Sequence, residues 1–139
     1  MLLWWKNANP CSRGIEVTTD AILVERSAEG WAQLTFNRPD KLNTLSIALR
    51  QEVHALVQAL EQDPDIHVLI LTGSGKVFTA GLELDEWNAD GGVAAAAFKH
   101  DVVASLRQFK GPIIAAIQGA AITGGVEIAL GCDVIVASS

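Results

Sequence analysis

Near the C-terminal end of this 139-residue chain, Gly124-Gly125 and Glu127 have the types and spacing for work on a carbonyl group. The glycines free the backbone to approach a ligand closely. An apolar run, Val126, Ile128, Ala129 and Leu130, follows directly and reads as a short helix. The first turn of such a helix leaves N–H groups without intrahelical partners. Its dipole favours an acid there, which Glu127 supplies. Amide donors and a carboxylate at one spot suit a reaction that builds negative charge on a carbonyl oxygen and moves a proton nearby. The segment alone does not decide the matter. Gly-Gly before a helix is common punctuation, and a first-turn glutamate is commonly a solvated cap.

The elements around this segment follow from β-branched runs and their punctuation. Ile113 to Ile117 is a strand broken by Gln118-Gly119, and Val134 to Val136 is a second strand beyond the helix. Upstream, Val68 to Thr72 is an apolar run without alternation, which predicts a strand buried on both faces of a largely parallel sheet. It leads into a glycine-marked loop, Ala80-Gly81-Leu82, just as Ile113 to Ile117 leads toward Gly124. If the two strands are neighbours, the two loops converge, and two N–H groups from separate loops are one way to build an oxyanion hole.

The remaining pattern is that of helices packed on a sheet. Ala21 to Glu25 and Trp31 to Phe36 are β-prone runs joined by a hairpin turn at Ala28-Glu29-Gly30. Pro39 ends the second run and opens a polar loop. Ser46 is an N-cap for a helix over Ile47 to Gln62, with Leu49, Val53, Leu56, Val57 and Leu60 on one face. A short helix is expected at Leu84 to Trp87, and a second long one over Val93 to Phe109, favoured by the alanine run Ala94 to Ala97. Gly73-x-Gly75 is not a dinucleotide fingerprint, because the third glycine and an immediate helix are absent, and it is not a P-loop, because Lys76 is followed by Val77.

Composition narrows the function classes. Half of the residues are apolar, so the chain is expected to be globular. The net charge of −6 argues against a general nucleic-acid binder. No apolar run reaches transmembrane length, so no membrane role is expected. Cys11 and Cys132 suggest neither a disulfide framework nor a metal site, and Cys132 reads as a buried free thiol. His54, His67 and His100 are scattered and read as solvated. The first seventeen residues look unlike the rest. They are expected to form a mobile extension to a domain over 18–139, with neither a signal peptide nor a convincing transit peptide. That makes the expected location cytoplasmic.

Three stretches together resemble the crotonase, or enoyl-CoA hydratase/isomerase, superfamily: NRPDKLNTL from Asn37, VLILTGSGKVFTAGLEL from Val68, and PIIAAIQGAAITGGVEIALGCDVIVA from Pro112. They lie in the right order and cover nearly everything beyond the extension. The resemblance implies an α/β fold, a crotonase-like spiral of ββα units seen without its C-terminal helical region. It implies an acyl-CoA thioester as substrate, with coenzyme A part of that substrate and no separate cofactor or metal. The N–H groups of Leu82 and Gly124 would hold the thioester oxygen. Glu127 matches the first catalytic glutamate of the hydratases and would act as general acid/base on water adding to a 2-enoyl-CoA. Lys41, Leu42 and Ala80 fall where family members contact the coenzyme A nucleotide, and Lys76 could join Lys41 at its phosphates.

The match has departures. Glu83 stands where the family usually has aspartate, a position that is mainly structural in the motif. The hydratases' second catalytic glutamate would lie past Ser139, as would the helices that cap the site and build the homotrimers or hexamers expected of the full-length form. The chain therefore reads as the N-terminal part of such an enzyme, with little hydration expected of it alone. A double-bond isomerase and an acyl-CoA-binding fragment without turnover are the alternatives.

Overall fold

A computed structural model describes residues 12–87 and 101–138. Six strands form one mixed sheet in the order β1-β2-β3-β4-β6-β8. β1 (Ser12–Thr19), β2 (Ile22–Ser27) and β3 (Trp31–Phe36) are antiparallel neighbours. β4 (Val68–Gly73), β6 (Ile113–Ile117) and β8 (Val134–Ala137) continue the sheet in parallel. The expected adjacency of the two apolar strands is found, with Leu69 beside Ile113 and Leu71 beside Ala115. Two short strands, β5 (Val77–Thr79) and β7 (Ala120–Ala121), pair in parallel as a separate sheet at the ends of β4 and β6. Neither is legible as a strand in sequence, because each is too short to show a period.

α1 (Ile47–Glu61) packs one face on the sheet, and the five apolar residues expected on that face are all buried. Each is worth about 1.5–3 kcal/mol relative to exposure. The Ser46 Oγ accepts the Leu49 N–H at 3.2 Å, which is the expected cap. A second cap comes from α2 (Leu84–Trp87), where the Glu86 carboxylate accepts the Ile47 N–H at 2.7 Å. Arg50, off that apolar face, is buried as well. The core is closed at one end by Phe36 and Phe78, edge to face with centroids 5.7 Å apart.

Several sequence expectations are corrected. β1 begins at Ser12, so the sheet reaches into the stretch expected to lie outside the domain; its pairing with β2 from Ser27 to Ile22 is what places it there. β4 is buried on alternate residues rather than on both faces: Leu69 and Leu71 are buried, while Ile70 and Thr72 are only partly so. The helix expected over Val93 to Phe109 lies partly outside the described residues. Its described part is α3 (Val102–Leu106), which starts afresh because Asp101 is extended and its carboxylate caps the Val103 N–H at 2.9 Å. His54 is not simply solvated: its Nδ1 lies 3.0 Å from Ser105 Oγ and ties α1 to α3.

Past β7 the chain turns into α4 (Gly124–Leu130) and then β8. β8 pairs with β6 on one edge and with no described residue on the other. Val134, Ile135 and Val136 are each about half exposed, and Leu130 on α4 is 73% exposed. Open apolar edges of this kind template pairing with other chains. The chain is expected to self-associate with rising concentration in sedimentation velocity, and Ile135→Lys to shift it toward monomer. A monomer at all concentrations would show that this edge is not sticky.

Candidate active site

The polar loop after β3 is a scaffold. Arg38 to Asn43 turns through a single 3-10 turn (Pro39–Lys41), and Leu42 and Asn43 both take left-handed backbone conformations. Asn43 is buried and fully used. Its Oδ1 accepts the Arg38 N–H at 2.8 Å, and its Nδ2 donates to the carbonyls of Ser74 and Val77 at 2.9 and 2.7 Å. The Arg38 guanidinium spans to Glu83 at 2.8 and 3.3 Å and also reaches the Thr44 carbonyl. The hydrogen bond to Glu83 raises the Arg38 pKa further above its ordinary value. Glu83 thus has the structural role expected of it, joining the first motif to the second.

The loop after β5 is held by the same scaffold. Thr79 Oγ1 donates to the Asn43 carbonyl at 2.7 Å and accepts the Gly81 N–H at 3.1 Å. The Ala80 N–H donates to the Leu42 carbonyl, and the Leu45 N–H to that of Gly81. Gly81 has φ +88°, a conformation that only glycine adopts readily. The chain therefore reverses at Gly81 and leaves the Leu82 N–H with no acceptor among the described residues.

The second loop docks on the first. The Ile122 N–H donates to the Thr79 carbonyl at 3.0 Å. The Gly125 N–H closes a four-residue turn onto the Ile122 carbonyl at 2.8 Å, with Thr123 at its first corner. Thr123 has φ 46° and ψ −109°, the mirror-image turn corner that glycine dominates. For a β-branched residue this is a true outlier, with a cost of order 1–3 kcal/mol. Gly125 leaves no room for a side chain, since a methyl there would stand 2.7 Å from the Thr79 carbonyl oxygen. Gly124 has more room, and its N–H, like that of Leu82, meets no acceptor among the described residues.

The two loops meet closely. A methyl on Gly124 would stand 3.9 Å from the Leu82 nitrogen, and one on Gly81 would stand 3.1 Å from the Gly124 nitrogen. Leu82 and Gly124 both line a cleft of about 830 Å³. Glu127 lines it too, one turn along α4, exposed and with no hydrogen-bond partner for its carboxylate among the described residues. Lys41, Leu42 and Ala80 also line the cleft. Lys76 is exposed in the turn between β4 and β5 and is not among the residues that line this cleft.

Sequence reasoning missed Arg50, Asp85, Asp101 and Thr123, which also face this cleft. Burial lowers the Arg50 pKa, against the pull of Glu86 and Asp101. Among the described residues, no group of three or more His, Cys, Asp or Glu side chains could hold a metal ion. No helix of the described residues is long and apolar enough to cross a membrane.

With the cleft defined, comparison with known proteins is decisive. The family model for enoyl-CoA hydratase/isomerase matches residues 26–139. The chain belongs to the enoyl-CoA hydratase/isomerase family. It is 41% identical over 125 residues to a probable enoyl-CoA hydratase of Mycobacterium bovis, covering 88% of this chain and 48% of that protein. It is 32% identical over 123 residues to 1,2-epoxyphenylacetyl-CoA isomerase of Escherichia coli, covering 84% and 47%. The crystal structure of an enoyl-CoA hydratase from Bacillus anthracis superposes with a TM-score of 0.77 at 32% identity, covering 84% of this chain and 47% of that one. The α/β crotonase-type fold expected from the three motifs is therefore the fold found. The chain spans about half the length of the curated relatives it matches.

Cys132, just past α4, is only partly buried rather than enclosed, and its Sγ sits 3.2 Å from the Ile128 carbonyl. Desolvation, with the Asp133 charge adding to it, pushes the thiol up to about 11. Its thiolate is the reactive form. Alkylation at Cys132, followed by peptide mapping, is expected to be at least tenfold slower at pH 8 in the native chain than in urea. Equal rates would show that the thiol is not shielded.

Proposed function

We propose that the cleft receives a 2-enoyl-CoA and supports addition of water through an enolate held by the N–H groups of Leu82 and Gly124. What supports this reading is that Leu82 and Gly124, from separate loops, line one cleft with Glu127, and that neither amide meets an acceptor among the described residues. Water adds its oxygen to the β-carbon while Glu127 takes its proton. The electron pair of the double bond moves to the thioester oxygen, where the two amides stabilise it. A proton then returns to the α-carbon. Each such donor is worth about 2.7–4 kcal/mol in the transition state.

The carrier part of the substrate is assigned to Lys41, Leu42 and Ala80. Leu42 is half exposed at the rim, free to cover an adenine ring, and Lys41 beside it can meet phosphate. A homotrimeric or hexameric full-length form in the cytoplasm fits this reading, with no nucleic-acid or membrane partner. Titration of the chain with crotonyl-CoA is expected to show saturable binding that a Gly124→Val substitution, which fills the wall, removes. Absence of binding by the unsubstituted chain would sink the proposal.

A further inference from the structure

Thr123 occupies a backbone corner that glycine would fill without strain, between two glycine-marked loops. Its side chain does none of the ordinary jobs available there. It is the N-cap of α4 but makes no capping hydrogen bond, and its hydroxyl has no hydrogen-bond partner among the described residues. What it touches is Gly81: a side chain built there would collide first with Thr123 Oγ1. Gly81 also has positive φ, so the two unusual backbone positions face each other across the junction of the loops. Leu82 follows one and Gly124 follows the other.

We propose that Thr123 is a positioning residue, a brace that bears on Gly81 and fixes the spacing of the Leu82 and Gly124 amides. The inference rests on the oxyanion-hole reading and explains why strain is kept at this corner. Without the brace the two loops are joined near the cleft mainly by the Ile122 to Thr79 hydrogen bond, which lies on the far side of Thr123 from Gly124. The amides would still be present, but their separation would relax.

Stability and oxyanion binding are then expected to move in opposite directions. The probe is acetoacetyl-CoA, a 3-ketoacyl thioester whose bound enolate absorbs in the near ultraviolet. Loss of its C2 proton puts charge on the oxygen that the two amides hold. In Thr123→Gly the melting temperature should rise, since a glycine relaxes the corner, while the bound enolate fraction falls by about tenfold to a hundredfold, the scale of an ångström misplacement. Thr123→Ala keeps the strained Cβ and loses the brace, so its enolate fraction should fall similarly without the gain in melting temperature. Thr123→Ser, which keeps the oxygen against Gly81, should recover most of the signal.

A Thr123→Gly protein with an undiminished enolate fraction would overturn the brace, as would one with a lowered melting temperature. Both results leave the oxyanion hole standing if the unsubstituted chain shows the enolate signal. An unsubstituted chain that leaves the thioester un-enolised takes down the hole and the brace together.

Discussion

Glu127→Gln is expected to slow hydration of crotonyl-CoA by about a hundredfold to ten-thousandfold in kcat, the range for loss of a positioned acid/base group. The assay is loss of the conjugated thioester absorbance, followed in the chain extended over the length its relatives span. KM should change much less. The glutamine keeps the shape of a side chain that is exposed and makes no hydrogen bond to other described residues, so the folded protein has little to lose. The melting temperature should accordingly stay close to that of the parent, as for most surface substitutions. An extended protein indifferent to the substitution would move the chemistry to another carboxylate. That result would favour the isomerase reading.

The parts of this fold that are legible in sequence are those set by local chemistry. α1 shows itself through Ser46 and an apolar face, and both do in the structure what their types predict. Glu127 and the glycine loops are legible for the same reason, because a helix start and a tight turn each have a composition. What is hidden depends on partners far along the chain. Glu86 caps α1 from 39 positions away, and no local pattern points to it. Asn43 reads as one more loop residue, yet it bonds to Ser74 and Val77 and sets the conformation on which Gly81 depends. The continuous apolar run of β4 hides its one-sided burial, since Ile70 is as apolar as its buried neighbours. Asp101 carried a usable signal, an aspartate directly before an apolar run. The helix propensity of the alanines preceding it outweighed that signal. Thr123 had a signal too: a threonine followed by two glycines is an unusual occupant for the first corner of such a turn.

Gly81→Ala is expected to damage the site more than any other single methyl. Two effects add. The left-handed backbone at φ +88° costs an L-residue about 1–2 kcal/mol. The added carbon would also collide with Thr123 Oγ1 and stand 2.9 Å from the Ile122 carbonyl oxygen and 3.1 Å from the Gly124 nitrogen. Two of those three neighbours are backbone, so relief requires the loops to part, and overpacking of this kind typically costs about 1–3 kcal/mol more. Calorimetry should show a melting temperature lower by several degrees, and, on the proposed reading, binding of acyl-CoA thioester should fall below detection because the spacing of Leu82 and Gly124 is lost. Gly75→Ala is the matched control. Gly75 has a similar φ of +78°, but a methyl there meets only Pro39 in the β4–β5 turn, away from the cleft. It should lose stability through the same backbone term and keep its affinity. If the two variants lose affinity alike, general destabilisation accounts for the effect. If Gly81→Ala still binds, the meeting of the two loops is not what makes the site.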